Sequence, residues 1–168
     1  MAVDQIDEFD GTRTVVTESV PVGYLIASNY ETAEGYKMID EGQIMFTFTQ
    51  NDTLDAFFLI LGLQEYTYRP IQSGFNFLIL LENEEVIELV NFPDRGIFSR
   101  DTNMRLYTHT VALPLDTFYK LIFSKILKIR VVYEGFQHTL TLLPDQQKAL
   151  KQQLLCLGNH LGLLPVKP

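Results

Sequence analysis

The sequence has no tryptophan, a single cysteine and three histidines in 168 residues. Each shortage removes a class of chemistry. Cys156 alone cannot form an internal disulfide or a four-thiolate zinc site. Its place late in an amphipathic stretch, away from a helix start or basic neighbours, reads as buried filler rather than a reactive thiol. His109, His138 and His160 are scattered without metal-ligand spacing, so no metal site is expected. There is no glycine-rich phosphate loop, no G-x-S-x-G elbow and no paired-cysteine motif, and nothing in the chain calls for a cofactor. The acidic start "DQIDEFDG" resembles a calcium loop only superficially. Counting back from Gly11 puts Ile6 where the first carboxylate must stand.

Basic residues are also short, 13 Lys and Arg against 21 Asp and Glu, for a net charge of −8. Such a chain repels phosphate backbones and anionic lipid surfaces, which argues against nucleic acid and membrane surfaces as partners. No apolar run approaches the roughly 20 residues that a spanning helix needs. "MAVDQIDEFDG" lacks the basic start and apolar run of a signal peptide. The expectation is a soluble cytoplasmic protein, a reading that a leader removed upstream would overturn.

What the chain has is apolar and aromatic: 46% hydrophobic residues, 12 Phe and 8 Tyr. That suits one domain with a sizeable core, over 1–168, with 1–10 and 163–168 as loose ends. Phe, Tyr, Val, Ile and Thr favour pleated, half-buried surfaces. Alternation and turn residues predict about eight strands joined by short turns, hence antiparallel, in one or two sheets. The fold class is α+β, mainly antiparallel β, as a sandwich or a partly open barrel. Helical spacing predicts a short helix near 116–124, with Asp116 at its N-cap, and a C-terminal helix near 144–157, started by Pro144 and stopped by Gly158 and Asn159. Asp55 could alternatively open a short helix, and Gly62 could mark a bulge.

Two hairpins can be read in detail. In "RVVYEGFQHTLTLL" a Glu134-Gly135 turn pairs Tyr133 with Phe136, Val131 with His138 and Ile129 with Leu140. In "GFNFLILLENEEVIELVNF" a four-residue loop would set Leu81 against Val86. Both faces of that second hairpin are then largely apolar, and both need cover from a helix, a second sheet or another subunit.

Several side chains are candidates for work. His138 reads first as a half-buried imidazole bonded to backbone, because no nucleophile or carboxylate partner is evident. Arg105, Tyr107 and His109 alternate, so they share a face that could take an anion, although a solvated strand face looks the same. Lys128 and Arg130 share the exposed face of their hairpin and could hold an acidic partner. Tyr66 and Tyr68, near Arg69, could anchor an interface or simply pack. Glu82, Glu84, Glu85 and Glu88 could bind a cation loosely, but a charged hairpin tip that discourages edge-to-edge association is the better reading.

From these features the leading expectation is a non-catalytic interaction or scaffold protein that self-associates as a homo-oligomer or binds a protein partner. The second is a carrier enclosing a small hydrophobic ligand within curved sheet. The third is an enzyme built on His109 or His138, which requires a concave site with a carboxylate in hydrogen-bond reach.

Overall fold

Alternation at period two governs the molecule. Phe57, Leu59, Leu61 and Leu63 are buried, while Phe58 and Ile60 between them are only half-buried. The computed structural model describes residues 3–164. Its strands are β1 (Val3–Ile6), β2 (Arg13–Val16), β3 (Val20–Thr32), β4 (Gly35–Gln50), β5 (Asp55–Glu65), β6 (Gly74–Leu81), β7 (Val86–Asn91), β8 (Ile97–Ser99) and β9 (Met104–Leu113). Helix α1 (Leu115–Phe123) follows, then β10 (Ile126–Tyr133), β11 (Phe136–Thr141) and helix α2 (Pro144–His160).

All eleven strands form one open antiparallel sheet in the order β1-β2-β4-β5-β9-β7-β6-β10-β11, with β3 beside β4 and β8 beside β9. The α+β, mainly antiparallel expectation therefore holds, as one unclosed sheet rather than a sandwich. The extra strands come from segments with weak alternation. Residues 13–32 divide into β2 and β3, the acidic start supplies β1, and Ile97–Ser99 is short.

The N-terminus departs from the expected loose end. Asp4 accepts from Arg13 Nη2 at 2.6 Å and from His160 Nε2 at 2.7 Å, which ties β1 to the end of α2. Those two partners hold the Asp4 carboxyl well below the usual carboxylate range. At the other end Leu163 and Leu164 pack against the core. The rest of the predicted loose C-terminus, 165–168, lies outside the described residues.

Three further details correct the sequence reading. Helix α1 begins at Leu115 after Pro114, with Asp116 in its first turn rather than at the cap. Helix α2 runs on to His160, past Gly158, and ends where Gly162 takes a left-handed φ of 69°. Asp55 opens strand β5, which passes Gly62 without a register shift.

The β10–β11 register is the expected one, with Tyr133 opposite Phe136 and Val131 opposite His138. The β6–β7 register is one residue away from expectation. Leu80, not Leu81, faces Val86, and Leu81 N–H bonds Glu85 C=O at 2.9 Å. Glu84 permits the tighter loop with a left-handed φ of 69°. The slip moves β7 face for face. Phe77, Ile79 and Leu81 join Ile87 and Leu89 on the inner face, while Val86 and Val90 turn outward.

The inner face is covered. Phe118, Leu121 and Ile122 of α1 and Leu150, Leu154 and Leu157 of α2 belong to the same buried cluster as the inward strand residues. Phe118 stacks on Phe57 with centroids 4.3 Å apart. The outer face has no such cover among the described residues. Val86 is 53% exposed and Val90 37%.

Candidate functional site

Glu65 ends β5 on the inward, in-phase side after Leu59, Leu61 and Leu63, and is 5% exposed. A carboxylate there must find donors, because burying an unpaired charge is very costly. It has two. His138 Nδ1 lies 2.6 Å from Glu65 Oε1, and the Tyr133 hydroxyl donates to the same oxygen at 3.2 Å. His138 Nε2 lies 2.7 Å from Glu41 Oε1. Glu41 Oε2 in turn accepts the Tyr24 backbone N–H at 3.0 Å. In the order of the sheet β11 is far from β4 and β5, so these bonds mean that the sheet curls until its far strands meet. Side chains rather than a backbone ladder close the gap.

The chain of bonds continues inward. His109 Nε2 lies 2.9 Å from the Tyr133 hydroxyl, and Asn91 Nδ2 lies 2.8 Å from His109 Nδ1. An amide nitrogen can only donate, so His109 Nδ1 accepts and its proton sits on Nε2. Nε2–H then donates to Tyr133, which donates to Glu65. Asn91 Oδ1 is buried without a partner.

The two histidines differ in charge. His109 is 1% exposed, and burial depresses its pKa to about 3, so the ring is neutral. Burial also pulls on His138, but the bonds and charges of Glu41 and Glu65 outweigh it and raise the pKa to about 9. Burial opposes ionisation of Glu41 too, but the bond from His138, the Tyr24 backbone N–H and the His138 charge together outweigh it, leaving that pKa lowered. Burial, followed by the charge of Glu65, pushes the Tyr133 phenol far up. The core thus holds an imidazolium clasped between two carboxylates.

Backbone geometry fits the clasp. Gly23 has a left-handed φ of 79°, and a Cβ there would collide with the Glu41 carboxylate and approach Leu140. Gln146 of α2 bonds the same glycine through both amide atoms, at 3.1 and 2.9 Å. The helix therefore buttresses the seam where β11 and β3 approach.

The candidates from sequence fall in different places. His138 bonds two carboxylates rather than backbone. Arg105, Tyr107 and His109 do share a face, but it is the inner one, and Tyr107 and His109 are 0% and 1% exposed. They form no surface patch for an anion. Arg105 instead lies over the Tyr68 ring at 4.9 Å, and Arg69 over Phe136 at 3.5 Å. Tyr66 and Tyr68 are exposed after β5, and the Tyr66 hydroxyl donates to Ala27 C=O at 2.6 Å. Lys128 and Arg130 lie on the exposed outer face as read. Cys156 is exposed rather than buried. Glu41, Glu65, Tyr133 and Asn91 carry the polar chain and escape sequence reading, because their partners lie far along the chain. The one available signal is an acid in phase with a buried apolar stripe, as Glu65 is.

Three hollows complete the picture. On the outer face one of about 450 Å³ is lined by Met45, Ile60 and Leu106 together with Asp40. Another of about 200 Å³ is lined by Leu78, Leu80 and Val86 together with Lys128 and Arg130. A groove of about 610 Å³ lies where β7 and the end of β9 part. No helix among the described residues is long and apolar enough to cross a membrane. No protein-family model, curated protein or solved structure matches this chain.

Proposed function

We propose that the protein is a non-catalytic interaction module that pairs with a second copy of itself through the outer face of the sheet. The observation that carries this reading is the uncovered apolar surface of the central strands, with Met45, Phe58, Ile60, Phe92, Leu78 and Leu80 at or near its middle. Large contiguous apolar patches on a protein surface mark association sites. The face that holds this apolar centre, about five strands and eight residues at about 4.8 Å between strands and 3.3 Å per residue, covers about 600 Å² with Thr108, Thr110 and Glu88 included. That approaches the roughly 800 Å² per partner of a stable interface.

Charge favours a second copy as the occupant. The hollow at one end of the face has an acid and no base among its lining residues, and the hollow at the other end has two bases and no acid. A two-fold axis through the middle sets each against its opposite.

The alternatives have less support. A general base needs a free lone pair, yet both ring nitrogens of His138 are committed to carboxylates. His109 is sealed within the core. A carrier needs an enclosed volume beneath the sheet, but the side chains of α1 and α2 pack against most of the inner face and the remaining groove of about 610 Å³ is open along the β7 edge.

Sedimentation equilibrium from micromolar to millimolar protein tests the proposal. The expected result is a concentration-dependent dimer that Ile60→Lys converts to a folded monomer. A wild-type monomer at millimolar concentration, or a dimer that Ile60→Lys leaves intact, would overturn it.

A further inference from the structure

The ladder between β7 and β9 is a single residue pair, Asn91 with Val111, with Phe92 N–H to Thr110 C=O at 3.0 Å beside it. Strand β9 is paired along its length to β5, and β7 to β6. The bond from Leu81 N–H to Glu85 C=O fixes which residues of β7 face β6. Antiparallel bonding alternates, so the pairs Ile79–Ile87 and Phe77–Leu89 repeat that geometry. The backbone N–H and C=O groups of Val86 and Glu88 therefore point the other way, toward the side where β9 has ended. Among the described residues no strand pairs with them.

This free edge borders the groove of about 610 Å³. Glu88 and Val90 stand on one wall and Ala112 and Leu113 on the other, with Phe57 and Leu163 also lining it. Sheets guard exposed edges with charged side chains, above all lysine, or with proline or a bulge. Here the one charge is Glu88, with no lysine or proline beside it, which disfavours an acidic strand and leaves the edge open to a basic one.

We infer that the free edge of β7 takes up an extended segment of a partner protein as an added strand, one that alternates apolar with basic side chains. Only an extended backbone presents donors and acceptors at the strand repeat, and alternate side chains then enter the groove or stand outside it. The apolar set would meet Phe57 and Leu113. The basic set would meet Glu88, the acid on the outer-face wall of the groove. Its one base, Arg13, is already paired with Asp4. A chain of net charge −8 also draws a basic partner at long range. This edge is separate from the self-pairing centre around Ile60, so either reading stands without the other.

The test uses the full chain and a fluorescein-labelled heptapeptide alternating valine and lysine, read by anisotropy. Hydrogen exchange of the Val86 and Glu88 amides is followed by NMR. Saturable binding is expected, with both amides slowed by peptide and no binding of a serine–lysine control. Glu88→Pro deletes the outward N–H without touching the bonds to β6, and should abolish binding. Glu88→Lys keeps the backbone donor and should weaken binding about fivefold. Absence of saturable binding, or equal binding by wild type and both variants, would overturn the inference. So would amide protection that rises with protein concentration and ignores peptide, since that would assign the edge to a second copy of the chain.

Discussion

His109 and His138 lie on the same face of the same sheet and are joined through Tyr133 and Glu65, yet one is neutral and the other charged. Burial acts on both in the same direction. What separates them is the company at the ring nitrogens: an amide and a phenol for His109, two carboxylates for His138. The middle of the sheet thus uses an imidazole as an uncharged link. The place where the curled sheet meets itself uses one as a cationic staple.

Removing the carboxylate that makes the difference should have the largest effect. Glu65→Leu leaves the His138 imidazolium with one acid instead of two in a mostly buried place. Breaking a buried pair from one side costs about 3–5 kcal/mol. Urea unfolding should register that loss, and an NMR titration should find the pKa of His138 fallen from about 9 toward the ordinary value of 6.5. An unchanged His138 pKa would mean that Glu41 alone holds the charge.

Acidity should pull the two histidines apart. His138 is raised from 6.5 to about 9, so its contribution is complete below pH 6.5 and disappears as the pH climbs through 9. The rise corresponds to about 3 kcal/mol. His109 is depressed from 6.5 to about 3, so its neutral form favours folding above pH 6.5 and costs stability as the pH falls toward 3. Unfolding free energy against pH should peak near neutrality and fall on both sides. His109→Phe should make the acid limb shallower and leave the alkaline limb unchanged. If both limbs change together, the two rings are not independent.

The smallest expected effect comes from cutting the link between them. Tyr133→Phe leaves the His109 Nε2–H and one bond to Glu65 unfilled, at a cost of about 1–2 kcal/mol. The charge states should stay put, with His138 still titrating near 9 and His109 still neutral. Thermal or urea melts measure the first outcome and NMR the second.

Legibility in the sequence follows the same logic of local against distant determinants. The β10–β11 register can be read because Gly135 fixes a two-residue turn and one face is polar, so a slip would be costly. Between β6 and β7 both faces are apolar, and alternation cannot tell one register from its neighbour. The choice falls to Glu84 in a left-handed conformation, which sequence does not advertise. The helices are legible from their spacing to within a few residues. The clasp is not, since Glu41 and Glu65 meet His138 across 97 and 73 residues. Locally, only Glu65 is marked, as an acid where a leucine is due, while Glu41 is out of phase with Ile44, Phe46 and Phe48. The long β3–β4 hairpin is obscure for another reason. Register shifts between Val22 and Leu25 and between Ala27 and Glu31 break the alternation that would reveal it.

The single-pair seam between β7 and β9 also bears on the order in which the chain can be made. Strand β5 emerges with one neighbour, β4, and acquires its second only when Leu113 has been added. The β6–β7 hairpin, made in the meantime, cannot fill that vacancy, and waits for β10 on its own far side. Neither side of this seam is one contiguous stretch of chain, since β9 belongs with β5 and β10 with β6. A polypeptide halted after Asn91 would present the unsatisfied edge of β5, and completion of β9 is the step that covers it.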